Sequence, residues 1–232
     1  MNRYVAIFAV CSLIGLSLAR AQAPAPVTVS PSSGGTLTVR NGGTITVIAF
    51  ALTYDLPLPP AEAGPASAQS WQLYDAATEP LAAQPISGGQ EVTVRCHFDC
   101  TATPFQLKAV LFQDGTSWGD SGWVQRISTR RAYMEQALQT SIRDLTTALS
   151  QGTTREALAA QFQASLSQET SAATDADLKG CIMSTRGVVL TNLQRVVHSS
   201  GGTEIPASQV IQHEITSLRA RYTSVFIYGG QQ

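Results

Sequence analysis

Proline placement constrains this chain more than any other feature. Ten of its eleven prolines lie at or before Pro104, and the only later one is Pro206. Proline removes a backbone donor and clashes with the preceding turn, so long helices are excluded from the first half and permitted in the second. Charge shifts at the same place. Residues 22–123 carry three basic and eight acidic residues, whereas residues 124–232 carry ten and eight.

The first half reads as strands. Leu37 and Val39 alternate with Thr36, Thr38 and Arg40, and Asn41-Gly42-Gly43 is a turn signal. Thr44 to Tyr54 is a β-branched and aromatic run that is apolar on both faces, as a central strand is. Trp71 and Leu73, then Val92 and Val94, alternate with polar neighbours. Phe105, Leu107, Ala109 and Leu111 are assigned to one face of a further strand. With Val27 to Ser30 and a short strand near Trp118, about seven strands result, enough for a small β-sandwich. Pro57 to Ala68, rich in proline and alanine, is read as a long loop.

The second half reads as helices. Met134, Leu138, Ile142, Leu145 and Leu149 recur at spacings of four and three and form one stripe. Thr153 with Glu156 has the form of a capping box for a second helix carrying Leu158, Phe162 and Leu166. Asp177 is the expected cap of a third, with Ile182, Val189, Leu193 and Val196, ended by Gly201-Gly202. Ser208 opens a fourth, with Ile211, Ile215, Leu218, Tyr222 and Val225. The expected fold class is therefore α+β: an N-terminal antiparallel β-sandwich of immunoglobulin-like type over residues 22–125, then a C-terminal helical bundle of three to four helices over residues 126–232.

Residues 1–21 are read as a signal peptide. Arg3 precedes an uncharged apolar run from Tyr4 to Leu18, and Ala19-Arg20-Ala21 supplies the small-x-small cleavage pattern, which places the mature start at Gln22. The run of about fifteen residues falls short of a spanning helix. A secreted or periplasmic location with no transmembrane segment after cleavage follows. Removing Arg3 and Arg20 leaves 13 basic and 16 acidic residues, a net charge of −3, and no basic patch that suggests nucleic acid.

Two serine motifs overlap in Gln113 to Trp123. Gly115-Thr116-Ser117-Trp118-Gly119 fits the Gly-x-Ser-x-Gly elbow, but turn composition rather than a helix follows Ser117. Gly119-Asp120-Ser121-Gly122 resembles the nucleophile segment of trypsin-like proteases, yet Trp123 stands where that family has a further glycine. The structural reading takes Asp114-Gly115 as a hairpin turn and Gly119 to Gly122 as a second turn. Trp71, Trp118 and Trp123 are core or packing residues in this reading, and sugar-stacking residues in the alternative.

Cys96 and Cys100 are the expected disulfide of an exported chain. Residues four apart in a straight strand lie about 13 Å apart, so the bond requires a tight turn. Its five-residue ring contributes about 2 kcal/mol. Zinc held by Cys96, Cys100 and His97 with Cys181, His198 or His213 is the weaker reading, because no second close ligand pair exists. The expectation is no metal and no cofactor. Cys181 makes the mature cysteine count odd and offers, with the helices, a route to a homo-oligomer.

The functional expectation is an exported, non-catalytic binding or envelope-associated scaffolding protein with a protein or glycan partner. Two alternatives stay open: a serine hydrolase using Ser117 or Ser121, and a carbohydrate-binding module using exposed tryptophans.

Overall fold

A computed structural model describes residues 25–57, 67–77, 84–195 and 205–226. The expected signal peptide, most of the proline-rich loop, His198 and the Gly201-Gly202 stop lie outside the described residues.

The run that is apolar on both faces forms the centre of the strand half. It becomes β3 (Val47–Pro57), which pairs antiparallel with β4 (Ser67–Asp75) on one side and β6 (Phe105–Phe112) on the other. A short β7 (Ser117–Gly119) completes a four-stranded sheet ordered β4-β3-β6-β7. The other sheet has three strands, β1 (Val27–Ser32), β2 (Thr36–Asn41) and β5 (Glu91–Arg95), ordered β1-β2-β5. Both sheets are antiparallel throughout.

The two sheets share one core. Leu37, Val39 and Val94 of the smaller sheet meet Phe50, Leu52, Tyr74, Val110 and Phe112 of the larger one. Phe50 stacks on Tyr74 at 4.8 Å between ring centroids, and Tyr54 stacks on Phe98 at 3.8 Å. Ala49, Ala51, Leu73, Ala109 and Leu111 face the other way and form a second cluster with Ile127. Small alanines on that outer face let a helix approach the sheet closely.

The single face assigned to β6 is corrected by this packing. Phe105 and Leu107 lie against the inter-sheet core, but Ala109 and Leu111 lie on the opposite face. The pairing with β3 slips between Ala51 and Leu52, so Leu52 opposes Leu107 while Ala51 opposes Ala109. Lys108 is the extra residue, and a bulge of one residue exchanges the faces beyond it. A second slip between Val47 and Ala49 does the same for β3, sending Val47 to the inner core.

Four helical rods follow. α1 (Ser121–Ser150) is the longest, and α2 (Arg155–Ala172) comes next. α3 (Ala176–Ile182), a π-turn over Met183–Gly187 and α4 (Val188–Gln194) run on as one rod, because the residues at both joins keep helical backbone angles. α5 (Ala207–Phe226) is the last. Met134, Leu138, Leu145, Leu158, Phe162, Ile182, Val189, Leu193, Ile211, Ile215 and Leu218 meet in the core of the bundle, as their helical spacing implies. Two expected caps move. Thr154, not Thr153, caps α2 by accepting from Ala157 N–H, which puts Glu156 one position too early for a capping box. Asp175, not Asp177, caps α3, accepting from Asp177 N–H at 2.7 Å.

The start of α1 corrects the reading of Gly119 to Gly122 as a turn. Asp120 is an N-cap whose carboxylate accepts from Trp123 N–H at 3.0 Å, so the helix begins at Ser121. Gly119 makes this entry possible. Its φ is +111°, and a Cβ there would sit 2.1 Å from Lys108 O and 2.7 Å from Ala109 Cα. The next amide, Asp120 N–H, donates to that same Lys108 carbonyl at 2.8 Å. Gly115 also has positive φ, +83°, but nothing lies within 4 Å of the added methyl.

These two glycines generate a paired prediction. Gly115→Ala costs only the strain of the turn, about 1 kcal/mol. Gly119→Ala adds a backbone clash at the bulge and costs about 3 kcal/mol or more. Urea denaturation of both variants checks this, and equal losses would refute the close-approach argument.

Candidate functional site at the strand–helix junction

β4 ends at Asp75, which is wholly buried. A carboxylate in such a place needs partners, since burying an unpaired charge is prohibitively costly. One oxygen accepts from Ala77 N–H at 2.8 Å, and Arg131 of α1 pairs with the same carboxylate. Ala77 O in turn receives two hydrogen bonds from the Arg221 guanidinium of α5, at 2.8 and 3.3 Å. Three residues at the end of one strand thus hold α1 and α5.

One turn earlier on α1 a second ion-pair group begins. Asp177, in the first turn of α3, accepts from Arg126 Nε at 2.8 Å and from Arg130 at 2.5 Å. Asp177 can do this because Asp175 has taken the capping role. Arg126 lies over Trp71 of β4 at 4.3 Å and over Trp123 of α1 at 5.4 Å, while Arg130 lies 5.5 Å from the Trp71 ring. The two indoles are 6.1 Å apart. Cation–π contacts of this kind strengthen as the cation loses water. The whole junction collects four arginines (126, 130, 131, 221) and two aspartates (75, 177), an excess of two positive charges.

The two carboxylates respond in opposite ways. Burial pushes Asp75 above the usual aspartate value, against the pull of Arg131, the Ala77 amide and Arg130. Burial also pushes Asp177 up, but hydrogen bonds from Arg126 and Arg130 prevail and hold it below the ordinary value of 3.8. Burial lowers Arg221, with Asp75 opposing. The Cys181 thiol, behind Arg130 and fully buried, is raised by desolvation, so it is a weak nucleophile.

The structure brings Trp71 and Trp123 together and separates the other sequence-derived candidates from them. Trp118 is half-buried against the inter-sheet core. Ser117 is exposed on β7, and Ser121 is exposed in the first turn of α1. Their hydroxyls make no hydrogen bond to His97 or His213, both of which are exposed. Cys96 and Cys100 form a pair at disulfide distance, with S–S 2.14 Å and Cα–Cα 6.2 Å. Asp99 supports the turn between them and beyond, accepting from Thr101 and Ala102; the Thr101 hydroxyl and these amides hold its carboxyl below the usual range. Among the described residues, no group of three or more histidine, cysteine or acidic side chains could hold a metal ion, and no helix is long and apolar enough to cross a membrane.

Sequence reasoning missed the arginines. Their signal was present: Arg126, Arg130 and Arg131 cluster on α1 at spacings of four and one, beside an apolar stripe that otherwise carries no charge. What the sequence did not disclose was the partner aspartate, 56 residues away on a strand. No protein-family model, curated protein or solved structure matches this chain.

Removing one member of the buried pair tests the junction. Arg131→Ala leaves Asp75 buried opposite a lost charge and costs about 3–5 kcal/mol. The Asp177 pairs have an acid signature. Because Asp177 is lowered in the folded state, its contribution is present above about pH 4 and is lost as pH falls through its folded value. Asp75 is raised, so its contribution has the opposite slope, declining as pH rises from the ordinary value through the folded one. Asp177→Asn should therefore flatten the acid-side loss of stability. Denaturation midpoints between about pH 6 and about pH 2.5 measure it; an unchanged acid limb would refute the assignment.

Proposed function

We propose that this chain is an exported, non-catalytic binding or envelope-associated scaffolding protein, built from an immunoglobulin-like sandwich and a helical bundle that act as one body. The observation that carries this reading is the junction. Residues with the chemistry of a site, Trp71, Trp123, Arg126, Arg131 and Asp75, are engaged with one another across the strand and helical halves. Such locking suits a protein that presents rigid surfaces.

The strand order supports the immunoglobulin-like assignment. Lettered A, B, C, C′, E, F, G along the chain, the sheets read A-B-E and C′-C-F-G. This order resembles the constant-type arrangement, with the fourth strand beside C instead of beside E. Export is supported by the charged, apolar and small-x-small segments of residues 1–21, and by the Cys96–Cys100 pair, which an oxidising compartment favours.

Two measurements test the proposal. Expressed with its own N-terminus in a bacterium that exports proteins, the chain should be recovered outside the cytoplasm with Gln22 as its first residue. A fluorophosphonate probe should leave Ser117 and Ser121 unmodified in the intact mass. Retention in the cytoplasm with residues 1–21 attached overturns export, and a covalent adduct at either serine overturns the non-catalytic role.

A further inference from the structure

Arg186 is the most deeply buried of three buried arginines in the bundle, and its surroundings differ from those of Arg131. The π-turn over Met183–Gly187 adds a residue to one turn and re-aims Arg186 into the space between α1 and α2. Arg186 is only 1% exposed. It lies 4.9 Å from the Phe162 ring, donates to Asp144 and Ser165 at 3.0 Å each, and has Glu169 Oε2 3.0 Å from Nε. Asp144 has a further, exposed partner in Arg143 at 3.6 Å. Among the described residues the Glu169 side chain has no other partner, and its contact with Arg186 is an ion pair without hydrogen-bond geometry. Its second oxygen, Oε1, takes no donor from the described residues, and about a third of the side chain is open, so acceptor capacity remains.

Glu169 and Arg186 lie at the edge of a cavity of 410 Å³ between α1, α2 and the α3 rod. Its walls include Ala137, Ala172, Ala173, Leu178 and Ile182. Along α1, Tyr133, Gln136 and Thr140 line it at spacings of three and four, and none of the three side chains makes a hydrogen bond among the described residues. Apolar walls with a few convergent polar groups, between helices of a bundle, are the usual form of a small-molecule site.

We propose that this cavity binds a small molecule with an apolar body and a protonated amine, the amine donating to Glu169 and the body lying between Ala137, Leu178 and Ile182. Charge selects the head group. The Arg186 cation is already opposed by Asp144 and Glu169, so an anionic ligand would meet the Glu169 carboxylate beside a cation whose charge is already balanced. An ammonium meets Glu169 Oε1, the carboxylate oxygen that Arg186 does not take. The proposal concerns the helical half alone and stands whether or not the chain is exported.

Three probes with one body and different heads test it on the full mature chain: phenethylamine, 2-phenylethanol and phenylacetate. Titration calorimetry at about pH 7 should give saturable phenethylamine binding in the millimolar range, at least about tenfold weaker binding of the alcohol, and none of the carboxylate. Glu169→Gln should weaken phenethylamine about tenfold and leave the alcohol unchanged. Ala172→Trp, a rim position, should abolish both. Amide chemical shifts of the unmutated protein give an independent reading: phenethylamine should move resonances around Thr140, Ala172 and Leu178. Absence of saturable amine binding, phenylacetate binding as tight as the amine, indifference to Glu169→Gln, or shifts scattered away from the cavity each overturn the proposal.

Discussion

The pairing of Asp75 with Arg131 is the contact on which the rest of the arrangement depends. It joins the last residue of β4 to the third turn of α1 in a place closed to water. A buried ion pair is a poor source of net stability, because desolvation consumes much of the attraction. Its effect here is on register. α1 starts at a fixed point, Asp120, and Arg131 lies about 15 Å further along the axis. Only one rotation of the helix brings Arg131 onto Asp75 while Trp123 and Ile127 face the alanines of the larger sheet. Arg221 then fixes α5 to the same strand end through Ala77 O. The helical half is thereby placed by polar groups and filled in by apolar ones.

The same geometry explains why two serine motifs occur side by side. Gly115 is required by the turn after β6, and Gly119 by the approach of the chain to Lys108. These are unrelated backbone demands that fall four residues apart, and the strand between them has Ser117 at its start. Asp120 and Ser121 are the cap and first residue of a helix. The Gly-x-Ser-x-Gly spelling thus follows from a hairpin turn and a bulge contact, each with a cause of its own.

Proline distribution and apolar period made the larger divisions legible in the sequence. Long helices were excluded from the proline-rich first half, none occurs there among the described residues, and Met134, Leu138 and Leu145 are buried as their spacing requires. Legibility ended where a choice depended on residues distant in sequence. Thr153 and Thr154 are equivalent caps by composition, and the fold decided between them. Asp177 was expected to cap α3, but Asp175 is an equivalent cap by composition, and the two arginines of α1 reserve Asp177 for pairing. The face of β6 could not be read at all, because alternation assumes an unbroken ladder and Lys108 breaks it. The tryptophans were recognisable as candidates for stacking, but their partner, an arginine inside one of the helices, was not.

Arg131 and Arg186 show how burial separates a structural ion pair from a candidate ligand site in one bundle. Both guanidiniums are buried, and both face carboxylates. Asp75 is closed to solvent and takes an amide as well as Arg131, so the group is complete within the chain. Asp144 and Glu169 are each about one-third open, and Glu169 borders a cavity whose other hydroxyl and amide groups are also unused. A cavity of this size leaves apolar wall uncovered, and a larger apolar residue, for instance at Ala173, would bury more of it. The π-turn is likewise a rare departure from the helix; it delivers Arg186 to this place, and Met183 within it and Val188 after it are exposed. A fold that needed only a packed bundle would gain from neither feature. Together they favour a ligand as a second partner of Glu169, beside Arg186.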